Sequence, residues 1–181
     1  KYLNKNDRFI IFTSGTTGKP KGVIITNKNL YSNISGISRQ INFKKDTHTS
    51  IIFSPPSYAM AISQILTYMK NKVNFIFIPS GIKFPRLIVQ NIIKYNVNFL
   101  NISISALRIL SPILNQNKKY FNKIKHVMAG GMQMTDQDLK KYFEFFPNTK
   151  VTNFYGCTEN SPRISHFTIN KFSAKKYNIW P

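Results

Sequence analysis

Acidic residues are scarce in this chain: 181 residues contain only six Asp and Glu, against 26 Lys and Arg, and the formal net charge is +20. Cysteine is scarcer still, and a single cysteine cannot form a disulfide within the chain, which favours a cytoplasmic setting. No apolar run approaches the ~18 residues that a membrane-spanning helix needs. These shortages exclude a disulfide-stapled scaffold and an apolar membrane span.

The excess of positive charge would ordinarily suggest a nucleic acid or an anionic membrane as partner. However, Lys outnumbers Arg 21 to 5, and the lysines are spread among many Asn and Ile residues. Nucleic-acid readout favours Arg side chains on a clustered basic face. We therefore attribute most of the charge to compositional bias and do not expect nucleic acid as partner, with a basic RNA-binding domain as the alternative.

The length suits one domain or one lobe of a larger one, which buries roughly 70% of its unfolded surface. The chain begins at Lys1 without a methionine and reaches its strongest motif almost at once. That beginning is typical of the middle of a larger protein.

Glycine and hydroxyl residues are concentrated in residues 13–23, directly after the apolar run 9–12. A strand that enters such a loop offers backbone N–H groups, hydroxyls and ammonium groups to one anion, as a polyphosphate requires. The loop is not a Walker A motif, because Gly15 and Gly18 are too close and Pro20 replaces the Mg²⁺-binding hydroxyl. A surface turn rich in Gly and Thr is the alternative. The candidate phosphate-binding residues are Thr13, Ser14, Gly15, Thr16, Thr17, Gly18, Lys19 and Lys21.

A second candidate segment covers residues 153–159, where an aromatic residue, a glycine, a hydroxyl and a carboxylate lie within five positions. These residues are Tyr155, Gly156, Thr158 and Glu159. Together they would make a nucleotide-binding corner, and a carboxylate is the ligand type that Mg²⁺ prefers. By itself, an aromatic residue followed by glycine is also common at the end of a strand.

Three weaker signals accompany these segments. Gly130 and Gly131 would let the backbone approach a flat ring, although they also suit an ordinary turn between strand and helix. Cys157 has no base at a revealing spacing, so we interpret it as a small pocket-lining residue. Arg163 and Ser165 follow closely and could reach a substrate, although loop charges usually face water. The three histidines, His48, His126 and His166, share no metal-ligand spacing.

Apolar strands and amphipathic helices alternate along the chain. Strands are predicted over 8–14, 22–26, 49–54, 73–79, 98–102, 124–129 and 151–155, with the last of these as the final clear strand and 170–181 as loop. Helices are predicted over 28–40, 59–71, 85–95, 105–115 and from 135 to 147. In the third helix, the residues at core-facing spacing are Leu87, Ile88, Ile92 and Tyr95.

This alternation predicts an α/β fold with a largely parallel sheet and flanking helices. Ligands of such sheets bind beyond the carboxyl ends of the strands. Three glycine-containing segments, 14–22, 130–134 and 156–159, follow strands directly. We expect them to converge on one crevice.

The strings at 13–23 and 153–159 resemble the two signature sequences of the adenylate-forming enzymes, the family of acyl-CoA synthetases, luciferases and peptide-synthetase adenylation domains. The resemblance implies that residues 1–181 are a partial AMP-binding (adenylation) domain, in the N-terminal lobe of such an enzyme. The ribose-binding aspartate segment and the small C-terminal domain with its catalytic lysine would be absent.

The resemblance also implies roles for single residues. Thr158 would bond a phosphate oxygen and Glu159 would hold Mg²⁺, while Tyr58 and Cys157 would border the acyl pocket. For Tyr58, a place in the core is the alternative. Residues 13–21 would hold the β- and γ-phosphates. The adenine would lie against Gly130, Gly131, Met132, Tyr155 and Gly156, with the ring of Tyr155 stacked on the base.

The reaction implied by the resemblance is the ATP-dependent activation of a carboxylic acid as an acyl-adenylate, with release of pyrophosphate. Coenzyme A or the phosphopantetheine of an acyl carrier protein would then accept the acyl group. The fragment alone would bind ATP and Mg²⁺ without significant turnover. A non-catalytic nucleotide-binding or interaction module derived from a ligase lobe is the alternative.

Overall fold

The computed structural model describes residues 7–13, 19–43 and 48–169. The predicted loop at 170–181 and most of the predicted phosphate loop lie outside the described residues. Within the described parts, strands and helices alternate as the sequence predicts.

The strands are β1 (Asp7–Thr13), β2 (Lys21–Thr26), β3 (Thr49–Ile52), β4 (Asn74–Phe77), β5 (Phe99–Asn101), β6 (His126–Gly130), β7 (Lys150–Tyr155) and β8 (Ser165–Ile169). The α-helices are α1 (Asn27–Ile41), α2 (Ala59–Lys70), α3 (Pro85–Lys94), α4 (Ile104–Gln116) and α5 (Asp136–Phe145). Every helix and strand predicted from the sequence has a counterpart here, with ends that differ by a few residues.

The central sheet has the order β5-β6-β7-β8, in which the first three strands are parallel. β3 and β4 form a second parallel pair, and a backbone hydrogen bond of 3.0 Å from Asn98 N to Thr49 O connects β3 to the start of β5. β1 and β2 form a separate antiparallel hairpin. The prediction of an α/β fold with a largely parallel sheet is confirmed.

The prediction that β7 is the final strand is wrong. β8 follows it and pairs with it antiparallel, from Val151↔Ile169 to Tyr155↔Ser165. Four of the five residues of β8 are exposed and only Ile169 is buried. An exposed edge strand shows neither an apolar run nor an alternating pattern, so its sequence carries no strand signal.

The sequence predicts a wider buried face for α3 than the structure shows. Ile88 and Ile92 are buried as expected, but Leu87 and Tyr95 are 41% and 44% exposed. The buried stripe instead passes through Val89. Only one narrow face of this helix meets the sheet, and residues at the margin of a helical apolar stripe remain in contact with water.

The core lies on both faces of the central sheet. On β6, Val127 belongs to a cluster that packs against α3, α4 and α5, whereas its neighbour Met128 belongs to a second cluster with Tyr68, Phe99 and Phe154. Successive side chains of a strand point to opposite faces, so this division shows a sheet that is covered on both sides. Within the described residues, no helix is both long and apolar enough to cross a membrane.

Candidate functional site

A cavity of about 580 Å³ opens at the carboxyl ends of β6 and β7. Four segments form its wall: the end of β1, the start of α2, the turn after β6 and the turn after β7. Two of the three glycine-containing segments predicted to converge therefore meet here. The site lies where ligands of parallel α/β sheets bind.

Tyr155 is the last residue of β7 and lies in this wall with its side chain 58% exposed. Phe12, near the end of β1, is 70% exposed and lines the same cavity. Exposed aromatic rings at a concave surface offer flat apolar faces to a ligand. The cavity is therefore suited to a planar group such as a nucleobase.

At position 156, any residue other than glycine would force the backbone to shift. A Cβ atom there would lie 1.6 Å from the carbonyl oxygen of Pro162. The turn after β7 folds back tightly, and Ile164 N donates to Tyr155 O at 2.9 Å as the chain enters β8. The glycine predicted to approach adenine is thus also required by the packing of the backbone.

Gly130 lies behind the cavity rather than in its wall. A Cβ atom on it would lie 2.7 Å from two ring carbons of Phe154, so the flat ring that approaches this glycine belongs to the protein itself. The next residues, Gly131 and Met132, do line the cavity. Tyr58 and Cys157 also line it, and both are exposed.

Thr158 and Glu159 begin the short 3-10 turn Thr158–Asn160. Thr158 is half-buried and lines the cavity, whereas Glu159 is exposed beside it. The turn packs against β2. The strand that leads out of the predicted phosphate loop therefore lies next to the carboxylate.

Thr13 and Lys21 are paired across the β1–β2 hairpin, and Lys19 and Lys21 are both exposed. Neither lysine lines the cavity. The remaining predicted phosphate-binding residues, Ser14, Gly15, Thr16, Thr17 and Gly18, lie outside the described residues.

No group of three His, Cys, Asp or Glu side chains converges in the part of the chain that the structure describes. A lone carboxylate nevertheless fits Mg²⁺, which usually takes one or two protein carboxylates together with phosphate oxygens and water. Glu159, with the Thr158 hydroxyl close by in sequence, is a donor set of that kind.

His126 has a structural role. Its Nε2 lies 2.7 Å from Thr152 Oγ1, and the side chain is buried between strands. Burial lowers the pKa of His126 to about 3, and the charges of Lys150 and His48 contribute to the shift. The imidazole is therefore neutral near pH 7, consistent with its interpretation as an ordinary residue.

Arg163 is half-buried rather than exposed, contrary to the expectation for a loop charge. Its guanidinium centre lies 4.8 Å from the centroid of the Phe154 ring, and its Nε and Nη2 atoms are buried. Burial lowers the pKa of Arg163 to about 10, so the side chain remains a cation at neutral pH. The side chain's position depends on β8, which the sequence does not reveal, and no sequence signal could have identified it.

Comparison with known proteins identifies the family of this chain. Residues 3–178 match the family described as AMP-binding enzyme. The chain is 31% identical over 153 residues to polyketide synthase-nonribosomal peptide synthetase ACE1 of Pyricularia oryzae, covering 83% of the chain and 4% of that protein. It is 27% identical over 178 residues to the D-alanine--D-alanyl carrier protein ligase of Streptococcus equi subsp. equi, covering 96% of the chain and 34% of the ligase.

Among solved structures, the McyG A-PCP protein complexed with phenylalanyl-adenylate superposes with a TM-score of 0.82 at 20% identity, over 100% of this chain and 30% of that one. At this identity the likeness shows the fold alone. The chain spans about a third or less of the length of these proteins. Because the family match covers nearly all of its residues, the chain belongs to the AMP-binding enzyme family.

Proposed function

We propose that this chain supplies the nucleotide- and acid-binding part of an AMP-forming carboxylate ligase. The observation that carries the proposal is the meeting of the turns after β6 and β7 in one cavity, with Tyr155 and Thr158 in its wall. An aromatic face and a hydroxyl at the carboxyl ends of parallel strands suit a nucleotide.

In this proposal the adenine lies between the ring of Tyr155 and the backbone of Gly131 and Met132. Stacking of a base on an aromatic side chain contributes about 1–3 kcal/mol. The three residues line the cavity together, and Tyr155 has the exposed area that stacking needs.

Thr13, Lys19 and Lys21 bind the β- and γ-phosphates, together with the loop between β1 and β2. The two ammonium groups are exposed, so they can turn toward an anion at little cost. Thr158 donates a hydrogen bond to a phosphate oxygen from the cavity wall. Glu159 would hold Mg²⁺, and the charge of the ion would offset the negative charge that develops on the leaving pyrophosphate.

The reaction is an in-line displacement at the α-phosphate. A carboxylate oxygen of the acid forms a bond to the α-phosphorus while the bond to the oxygen of the β-phosphate breaks, giving an acyl-adenylate and pyrophosphate. The protein contributes positioning and charge stabilisation rather than covalent chemistry. Tyr58 and Cys157, which line the same cavity, border the acid.

A thiol then attacks the acyl carbonyl, forming a thioester and releasing AMP. The acceptor is coenzyme A or the phosphopantetheine of a carrier protein. The name of the Streptococcus equi ligase specifies a carrier protein, which supports the second choice. We place the reaction in the cytoplasm, where ATP is available.

Acid-dependent exchange between ATP and labelled pyrophosphate tests the proposal. The assay uses the full-length gene product, Mg²⁺ and a panel of aliphatic, aromatic, hydroxy and amino acids. We expect exchange with one class of acid and none without acid. ATP–Mg²⁺ binding without exchange across the whole panel would contradict the ligase and favour a non-catalytic nucleotide-binding module.

A further inference from the structure

A second cavity, of about 340 Å³, lies between α1 and the β7–β8 hairpin. Phe154 lines both cavities, so the two cavities adjoin at this residue. Among the residues that the structure describes, the lining contains two arginines, Arg39 and Arg163, and no Asp or Glu. The described part of this cavity is therefore polar and positively charged.

Arg163 is the unusual group in this lining. Its Nε and Nη2 atoms are buried and have no hydrogen-bond partner among the described residues. A buried charge without a counter-ion is costly, and the contact with the Phe154 ring offsets only part of that cost. Of the described titratable groups, only Tyr68 interacts with it appreciably, and no carboxylate does. Within the described parts of the chain, the cation has no anionic partner.

The two Arg163 nitrogens without a hydrogen-bond partner are the pair best suited to bind a carboxylate. Nε and Nη2 form one edge of the guanidinium, where two N–H bonds run parallel and match two carboxylate oxygens. Arg108 uses this same edge in the same protein: its Nε donates to Asp138 Oδ1 at 3.1 Å and its Nη2 donates to Oδ2 at 2.9 Å. Arg163 offers the same two N–H donors as Arg108, but among the described residues no carboxylate accepts from them.

Neighbouring elements hold the Arg163 backbone in place. Asn33 Nδ2, on α1, donates to the carbonyl oxygen of Arg163 at 3.0 Å. Ser63 Oγ, on α2, donates to Asn33 Oδ1 at 3.0 Å. The hairpin turn is thus tied to both helices, and the cation is built into the wall rather than free on the surface.

We propose that Arg163 binds a second carboxylate, at the far end of the acid that the enzyme activates, so that the substrate is a dicarboxylic acid. The inference rests on the proposed function, because the reacting carboxylate must lie in the nucleotide cavity. The body of the acid then passes Phe154, and its distal carboxylate becomes the missing partner of the guanidinium. Arg163 determines specificity and takes no part in the bond-making step.

The kinetic test compares straight-chain dicarboxylic acids, from succinic to suberic, with monocarboxylic acids of equal carbon number in the exchange assay. The native full-length gene product should prefer a dicarboxylic acid by at least ~10-fold in kcat/KM. R163Q should remove that preference mainly through KM and leave the monocarboxylic acids unimpaired. R86Q, which changes an exposed arginine on α3, is the matched control and should behave as native.

A stability measurement separates ligand recognition from a merely structural role. Without acid, R163M should melt at a higher temperature than the native protein, because it removes an uncompensated buried charge. The preferred dicarboxylic acid should raise the Tm of the native protein and not that of R163M. R163K keeps the positive charge but lacks the paired N–H donors of the guanidinium, so the dicarboxylic acid should still raise its Tm, by a smaller amount. If R163Q and R163M do not fold, the comparison of R163K with the native protein tests the inference.

Two results would overturn the inference while leaving the ligase intact: equal or better exchange with monocarboxylic acids, or an R163M variant that melts lower than native and still responds to the dicarboxylic acid. Either would make Arg163 a structural partner of the Phe154 ring. Absence of exchange with every acid would instead remove the proposed function, and this inference with it.

Discussion

At the scale of single residues, the two glutamates of the chain form a matched pair. Glu159 lies beside the nucleotide cavity, whereas Glu144 lies on α5 in an exposed ion pair with Lys118. We predict that E159Q lowers acid-dependent exchange about 100-fold or more, because an amide cannot hold Mg²⁺. E144Q should leave exchange unchanged, since exposed ion pairs contribute little. Initial exchange rates at saturating Mg²⁺ decide the matter, and an equal effect of both substitutions would contradict the role of Glu159.

Two glycines offer a comparable pair for stability. Ala at position 156 would place a Cβ atom 1.6 Å from the Pro162 carbonyl oxygen, whereas a Cβ atom on Gly36, in α1, would meet nothing within 4 Å. G156A should lower the free energy of unfolding by about 3 kcal/mol, because the backbone must shift. G36A should raise it by up to ~1 kcal/mol, because Ala favours a helix.

Urea unfolding of both variants, followed by circular dichroism, measures these changes. A G156A variant as stable as the native protein would show that the turn after β7 is looser than described.

The residues of the candidate site differ in how far the sequence can predict them. Tyr155 and Thr158 are recognisable because their order along the chain is distinctive, and both line the cavity. Gly130 is recognisable by its motif, yet the ring it meets is that of Phe154, a contact across the sheet. Arg163 carries no such signal, since its burial depends on the path of the chain between β7 and β8.

At the scale of elements, α5 is anchored through its first turn. Thr135 Oγ1 accepts from Asp138 N at 3.2 Å and donates to Asp138 Oδ2 at 2.7 Å, and Arg108 binds the same carboxylate. Burial alone would raise the pKa of Asp138, but the hydrogen bonds from Thr135 and Arg108 outweigh it, so the pKa lies below its usual 3.8.

We predict that D138N lowers the free energy of unfolding by about 2 kcal/mol at pH 7, because the ion pair with Arg108 is lost and the hydrogen bonds from Thr135 no longer go to a charged acceptor. Because the folded-state pKa is lowered, this contribution is present above pH 3.8 and is lost as the pH falls through the folded pKa. Urea unfolding from pH 7 to pH 3 should show the native protein approaching the variant. A difference that stays constant over this range would contradict the account.

Three neighbouring strands are linked through polar side chains, of which His126 and Thr152 are buried and Thr168 is exposed. His126 Nε2, on β6, lies 2.7 Å from Thr152 Oγ1 on β7, which lies 2.8 Å from Thr168 Oγ1 on β8. Burial lowers the folded-state pKa of His126 from 6.5 to about 3. Below pH 6.5, His126 is therefore protonated in the unfolded chain but stays neutral in the folded protein. The free energy of unfolding falls as the pH drops from 6.5 toward 3.

The loss from His126 should approach about 1.4 kcal/mol per pH unit within this window. We predict that H126Q removes this part of the pH dependence of the free energy of unfolding. H166Q, on the exposed side of β8, is the control and should keep the native slope. An unchanged slope in H126Q would show that another group is responsible.

Helices and buried strands are the elements that the sequence predicts well, because their apolar periodicity is imposed by the core on both faces of the sheet. β6, for example, is buried at every position and is found as an apolar run. β8 is missed because it is held by backbone pairing to β7 at an exposed edge, and backbone pairing leaves no trace in side-chain pattern. Leu87 and Tyr95 are misassigned because the sequence gives the direction of an apolar face more reliably than its width.

At the scale of the whole molecule, the α/β architecture follows from the alternation of strands and helices, and the family from two short strings. The sequence alone does not explain the net charge. A charge of +20 is compatible with a nucleic-acid partner and with a compositional bias. The turns at the carboxyl ends of β6 and β7 build a cavity suited to a small molecule, and the attribution of the charge to compositional bias stays a prediction.

The central claim is that a carboxylate oxygen attacks the α-phosphate of ATP. The most direct test supplies the full-length gene product with ATP, Mg²⁺, a thiol acceptor and its preferred acid, labelled with heavy oxygen in the carboxylate. Mass spectrometry of the products should find one labelled oxygen in AMP and none in pyrophosphate, because the C–O bond breaks when the thiol takes the acyl group. Unlabelled AMP, or ADP and labelled phosphate in its place, would contradict the account.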